Sequence, residues 1–171
     1  MSEPRLIEAV VTIGADMGLT VNDVHNIAVS GSRVFASEDA LERVRRSSAV
    51  VERALIRGRK VYGLNTYVGH LRDREIAPDD IIDYQHQLVA MHARGIGDPM
   101  AEHDVRALML ARIVGMSRGG SGAHPDIFAT LIQMLNAGVH PIVPQGGSVG
   151  ASDLTQMAAV GMVLIGRGDA I

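Results

Sequence analysis

These 171 residues contain no cysteine and no tryptophan, and only two Phe and three Tyr. Without cysteine there is no disulfide and no thiol nucleophile, a composition that suits a reducing cytoplasm. With aromatics at 3% against 47% hydrophobic residues, the core has to be built from aliphatic side chains, Ala and Met. Neither sign of charge dominates: 16 Lys and Arg face 19 Asp and Glu, for a net charge of −3. A polycationic surface is absent, so nucleic-acid binding has no support. No apolar run reaches membrane-spanning length, and the block after Leu154 is broken by Gly161. The first residues carry Glu3, Arg5 and Glu8 where a signal peptide would carry an apolar core. Length and composition predict a soluble cytoplasmic protein forming one domain, residues 1–171.

What is present is helical periodicity. Residues 5–13 are apolar but ambiguous between helix and strand. Thr20 opens a short capped helix with Val24, Ile27 and Ala28 on one face. Ser37 opens a longer one whose inner stripe is Leu41, Val44, Ser48, Val51 and Leu55. Arg53 and Arg57 suit its negative end and Gly58 stops it. Two glycines, Gly63 and Gly69, make the next stretch a loop. Pro78 then fits the first turn of a helix to about residue 94, with Ile81, Tyr84, Leu88 and Met91 inward. A helix over about 101–116 turns Val105, Leu108, Met109, Ile113 and Met116 inward. Another runs from Pro125 to about residue 137 on Ile127, Phe128, Leu131, Ile132 and Leu135, ending at Gly138. The segment 139–144, with Pro141 and Pro144, is extended. The predicted class is mainly α: packed helices with short extended segments and Gly-rich loops at their ends.

The chemistry concentrates in the loop that follows. Gly146, Gly147 and Gly150 lie among Ser148, Ala151 and Ser152, ahead of an apolar run over 154–166 that predicts a helix buried on nearly every face. Ser152 or Asp153 is placed to cap it, so the loop lies at the positive end of a helix dipole, where developing negative charge is favoured. Gly146-Gly147-Ser148-Val149-Gly150 also satisfies the G-x-S-x-G pattern of a hydrolase nucleophile elbow. That motif requires a central parallel strand before it, which Pro141 and Pro144 oppose. No Lys follows the glycines, so a P-loop has less support still, and the histidines lack metal-ligand spacing.

The flanks of this loop resemble the central motif of the aromatic amino-acid ammonia-lyases, histidine and phenylalanine ammonia-lyases among them. In that family Ala-Ser-Gly cyclises and dehydrates to methylidene-imidazolone (MIO), an electrophile. The family pattern is Ala-Ser-Gly-Asp-Leu, whereas this chain has Ala151-Ser152-Asp153-Leu154, with one glycine missing between aligned flanks. Tyr62, Gly63, Asn65, Thr66 and Gly69 match the family's Tyr-Gly-x-Asn-Thr-Gly-Phe-Gly loop, while Tyr67 and Val68 replace its Gly-Phe. His92 matches the Ser-His position of histidine-type members, with Met91 in place of the serine. Arg106 and Arg112 are similar to the family's R-x-x-x-x-x-R helix, with Ser121-Gly122 in the turn after it; the two arginines are expected to pair with buried carboxylates or helix ends.

The resemblance implies the helical-bundle N-terminal part of an ammonia-lyase-like fold, without the C-terminal half. It implies elimination of ammonia from an aromatic or histidine-like α-amino acid, with Tyr62 as the base and Ala151, Ser152 and Asp153 at the electrophile position. A phenol titrates near about 10, so the base role asks that its proton be drawn off. His92, Asn65 and Met91 are the implied substrate contacts. Family active sites take residues from several subunits, so a homo-oligomer, or a partner chain supplying the C-terminal half, is expected. Without the glycine no MIO is expected, and no other cofactor or metal. The alternatives are an MIO-independent lyase acting on a better leaving group, or a catalytically inactive paralogue that serves in assembly.

Overall fold

The computed structural model describes residues 10–14, 18–150 and 152–171; the apolar stretch 5–9 and Ala151 lie outside them. In chain order the elements are β1 (Val10–Ile13), α1 (Val21–Ala28), β2 (Arg33–Ala36), α2 (Glu38–Ile56), α3 (Ile81–His92), β3 (Ile96–Pro99), α4 (Glu102–Ser117), α5 (Pro125–Ala137), β4 (Pro144–Gly146) and α6 (Leu154–Leu164). Six α-helices carry half of the described residues, as the periodicity predicts. The described residues fall into two compact units, one of residues 1–45, 101–140 and 171, the other of 46–100 and 141–170.

In the first unit, local chemistry sets the helix ends. Thr20 forms a capping box: its hydroxyl accepts from the Asp23 backbone N–H and the Asp23 carboxylate accepts from the Thr20 N–H. The Thr20 N–H, and the Thr20 hydroxyl donating to the same carboxylate oxygen, hold the Asp23 carboxyl below the usual carboxylate range. The Ser37 hydroxyl caps the start of α2 by accepting from the Ala40 N–H at 3.1 Å. Gly138 closes α5 in the left-handed region, φ 71°. The core is aliphatic with one aromatic: Met109, Leu110, Ile113 and Met116 of α4 are buried, as are Phe128, Leu131 and Leu135 of α5, Ile27 and Val34. Ile127, expected inward, is 42% exposed. Phe128, the next residue and roughly 100° further round the helix, takes the buried position.

The ambiguous stretch resolves as β1, paired in parallel with β2 from Val10↔Arg33 to Ile13↔Ala36. Asn136 of α5 lies against β2: its amide oxygen accepts the Val34 N–H at 2.8 Å and its amide nitrogen donates to the Val34 carbonyl at 2.7 Å. The side chain thus supplies the pair of backbone bonds that a further strand would have made.

Arg106 is buried and donates to the Ile27 carbonyl from Nε and Nη2, to the Leu135 carbonyl from Nη1, and to His140 Nε2 at 2.9 Å. Of the two expected roles it fills the second, closing the C-terminal turns of α1 and α5, where the helix dipoles favour a cation. Arg112 is exposed. Because Nη1 only donates, His140 Nε2 accepts and its proton resides on Nδ1, 3.5 Å from the Glu102 carboxylate. Burial lowers the His140 pKa most; Glu102 opposes and Arg106 adds to the lowering. A histidine depressed in the folded state takes up its proton first when unfolded. The stability it contributes is therefore full above its ordinary value of about 6.5 and is lost as pH falls below it. Unfolding midpoints should fall from pH 6.5 downward, less steeply in His140→Gln, as thermal melts across pH 5–8 would record.

The second unit combines α3, α6 and the strand pair β3–β4, which is antiparallel with Ile96↔Gly146 and Pro99↔Pro144 in register around an irregularity. Pro144 stands at the first residue of β4, where a missing N–H is tolerated. The predicted helix over 78–94 begins as a 3-10 turn, Pro78–Asp80, before α3 proper. Tyr84 is buried on α3 but Met91 is 54% exposed, against expectation. At Gly161 of α6 an added Cβ would come within 3.1 Å of the Val89 side chain. The residue that interrupts the apolar run is thus what lets α3 and α6 approach.

Candidate active site

Tyr62, Val68, Gly69, Leu88, Val89, His92, Ser152, Leu154, Met157, Ala158 and Gly161 enclose a cavity of about 660 Å³ within the second unit. Three predicted residues, Tyr62, His92 and Ser152, come from three separate stretches to one wall system. Leu88, Val89 and His92 share a face of α3 at helical spacing. Met157, Ala158 and Gly161 do the same on α6, so the floor is apolar and the polar groups stand at its edge.

Tyr62 is 65% exposed, and its phenol oxygen accepts the Gly69 backbone N–H at 3.1 Å. Asn65 is not at the cavity. Its amide oxygen accepts the Val61 N–H at 2.7 Å and its amide nitrogen donates to the Arg59 carbonyl at 2.9 Å. Both ends of the amide are spent bracing the backbone on which Tyr62 sits. His92 Nδ1 donates to the Leu88 carbonyl at 2.7 Å, which sets the tautomer. No hydrogen bond among the described residues uses its Nε2, the nitrogen left for a ligand. Met91, one residue earlier, does not line the cavity.

Ser152 and Asp153 both have positive φ, 61° and 43°. For residues bearing a Cβ the left-handed region costs about 1–2 kcal/mol each, less for Asp. Asp153 stands at the expected N-cap position of α6, but its side chain makes no cap hydrogen bond. The carboxylate instead accepts from the Ser148 hydroxyl, whose oxygen accepts the Gly150 N–H at 3.2 Å. The left-handed backbone aims the side chain back along the loop, away from the N–H groups it was expected to cap. The Asp153 carbonyl accepts the Met157 N–H at 3.0 Å in the first turn of α6. At Gly147, φ 121°, a Cβ would meet Thr155 Oγ1 at 3.0 Å and Gly95 Cα at 3.1 Å, so only glycine lets the loop lie this close.

The run after Asp153 is less enclosed than its composition predicts. Gln156, Ala158 and Val160 are buried, whereas Leu154 is 48% exposed and Met157, Gly161 and Met162 are half-buried. The G-x-S-x-G match lacks its setting: the strand before Ser148 belongs to a two-stranded antiparallel pair. Among the described residues no cluster of three or more His, Asp or Glu is placed to hold a metal. None of their helices is long and apolar enough to cross a membrane.

Residues 19–171 match the family described as aromatic amino acid lyase. The chain belongs to that family. Histidine ammonia-lyase of Geobacillus thermodenitrificans is 40% identical over 152 residues, which are 88% of this chain and 30% of that protein. The ergothioneine-degrading enzyme ergothionase of Treponema denticola superposes with a TM-score of 0.90 at 29% identity, over 94% of this chain and 32% of its own. Phenylalanine aminomutase of Pantoea agglomerans superposes at 0.87 with 29% identity, over 95% and 31%. The chain therefore spans about a third of the length of these lyase-family relatives. The expected fold class, a mainly helical N-terminal part of an ammonia-lyase-like fold, is the one observed.

Where the family has Ala-Ser-Gly, this lyase-family chain has Ala151, Ser152 and Asp153. Cyclisation requires the amide nitrogen of the third residue to close on the carbonyl carbon of the first. Here the third residue is Asp153, with a side chain tied to Ser148 and a carbonyl committed to α6. Asp153 brings a Cβ to a turn that glycine makes without one. Sequence reasoning missed two contributors, Gln85 beneath the Tyr62 loop and Ser148 as the partner of Asp153. The G-x-S-x-G match drew attention to Ser148 for another chemistry, and nothing in the sequence marked Gln85.

Proposed function

We propose that this chain forms the base-bearing part of a lyase site that eliminates an amine from an α-amino acid with an aromatic or imidazole ring. The observation that carries this is one cavity bounded by Tyr62, His92 and Ser152 over an apolar floor. The ring of the substrate lies on Leu88, Val89 and Met157, and His92 Nε2 hydrogen-bonds a polar ring atom. Tyr62, its oxygen held by the Gly69 N–H, takes the β-proton. The C–H electron pair becomes the Cα=Cβ bond and the C–N pair leaves with the amine. The site is completed by further protein covering the half-exposed α6 face, in a homo-oligomer or with a partner chain.

A second reading is favoured by Asp153 standing where the family has glycine. In the family MIO supplies an electrophile that makes ammonia a viable leaving group; the uncyclised loop proposed here supplies none. An α-ammonium loses a nitrogen proton before a carbon proton, and the resulting amine does not depart. A fully alkylated α-ammonium has no nitrogen proton and leaves as a neutral tertiary amine. The leaving group is then what differs from the ammonia-lyases, while the Tyr62 base and the ring pocket stay the same.

Incubating the purified protein with histidine, phenylalanine and tyrosine, with their N-trimethyl betaines, and with ergothioneine separates the readings by near-ultraviolet absorbance of the conjugated product. With the assembly complete, product from the free amino acids supports the first and product from quaternary substrates alone the second; no product from any then overturns both. Intact mass reports the loop in the same samples. The expected mass is that of the unmodified chain, and the loss of two waters, abolished in Ser152→Ala, would show that the ring forms.

A further inference from the structure

The Tyr62 loop does not rest on its own contacts. Gln85 of α3 donates from Nε2 to the Gly63 carbonyl at 2.7 Å and to the Leu64 carbonyl at 3.1 Å. Gly63, directly after Tyr62, is in the left-handed region at φ 72°, a conformation with few internal restraints. One residue before Gln85, the Tyr84 ring meets the Tyr67 ring edge-on, centroids 5.0 Å apart. The helix thus holds the loop at two points, one on each side of Thr66. Gln85 is also three, four and seven residues before Leu88, Val89 and His92, the α3 residues that line the cavity. At 3.6 residues per turn these four share one face.

We infer that Gln85 is a positioning residue: one α3 face both lines the cavity and, through Gln85, sets where Tyr62 stands relative to His92. This rests on the proposed Tyr62 base role. A side-chain amide suits the task because one NH₂ can serve two carbonyls while carrying no charge beside the phenol. Neither carbonyl belongs to a helix or strand, so without Gln85 the loop keeps the Tyr67–Tyr84 ring contact with α3 but loses the hydrogen bonds next to Tyr62. Gln85 itself is not among the residues that line the ring pocket. Loss of the amide should therefore damage the proton-transfer geometry and spare binding.

The test is Gln85→Met, which keeps length and removes the donor, beside Gln85→Glu, which keeps shape and turns an acceptor toward the two carbonyls. In the active assembly, kcat should fall by up to roughly 100-fold with KM changed less than about threefold, as expected when a reacting group is displaced by around an ångström. Amide exchange in the labelled chain gives a readout independent of turnover. The Gly69 N–H, bonded to the Tyr62 oxygen, should exchange at least about tenfold faster in both variants and in Tyr62→Phe, while amides within α3 keep their protection. Wild-type exchange at Gly69 in Gln85→Met overturns the inference, as does a rise in KM with kcat unchanged. Should no substrate be turned over by the wild type, the Tyr62 reading fails on that result, and the exchange data alone decide whether Gln85 holds the loop.

Discussion

Tyr62→Phe is expected to lower turnover by about 10²–10⁴-fold, the range over which a positioned general base contributes, while leaving ring binding in place. The substitution removes one oxygen and keeps the ring that helps wall the cavity. It also removes the acceptor of the Gly69 N–H, an exposed bond whose donor can turn to water, so stability should change little. Rapid-mixing kinetics on the active assembly would separate the two consequences: kcat falls and the dissociation constant of a ring-bearing substrate stays within a few-fold. A variant retaining more than a tenth of wild-type kcat would remove Tyr62 from the proton transfer. His92→Ala should give the opposite pattern, weaker binding at a less altered kcat, because its free Nε2 addresses the ring and not the β-carbon.

The largest effect on stability is expected at Arg106. Replacing it with Met keeps much of the buried stem and removes every donor. The Ile27 and Leu135 carbonyls and His140 Nε2 then lose their partner in a place where water does not replace it. A buried acceptor left without its donor costs about 1–3 kcal/mol, so with relief of the guanidinium's own desolvation set against the sum, a net loss of roughly 3 kcal/mol is expected. For a chain of this size that corresponds to a Tm lower by roughly 6–12 °C. Arg106→Lys keeps the charge but offers a single compact head to three separated acceptors, and should recover only part of the loss. Thermal melts at pH 7.5, where His140 is neutral in both states, isolate the effect from protonation. A shift below 2 °C in Arg106→Met would mean that the turns at the ends of α1 and α5 close without it.

Helix positions were legible because each rests on short-range chemistry. Thr20 with Asp23, Ser37 with Ala40, and Gly138 at a left-handed C-cap act within a few residues, and a reader of the sequence can apply the same rules the backbone obeys. The strands were less legible. β1 and β2 have four residues each and pair across α1, and such short apolar runs carry no period that separates strand from helix. Tyr62, His92 and Ser152 were found through their resemblance to known motifs, and the cavity brings them together. Asn65 and Met91 came by the same route, yet Asn65 spends its amide on the loop backbone and Met91 does not line the cavity.

The sequence by itself determined the family, the order and approximate limits of the helices, and the absence of a glycine after Ser152. These follow from residue identity, from spacing along the chain and from hydrogen bonds that close over three or four residues. Only the tertiary structure decided where Arg106 sends its donors, that Gln85 ties α3 to the Tyr62 loop, and that Asp153 bonds to Ser148 instead of capping α6. The first two are choices among acceptors more than twenty residues distant in sequence, made by which backbone groups the packed helices leave unpaired. The third turns on the sign of φ at one residue, which reverses the direction of a side chain without changing a letter.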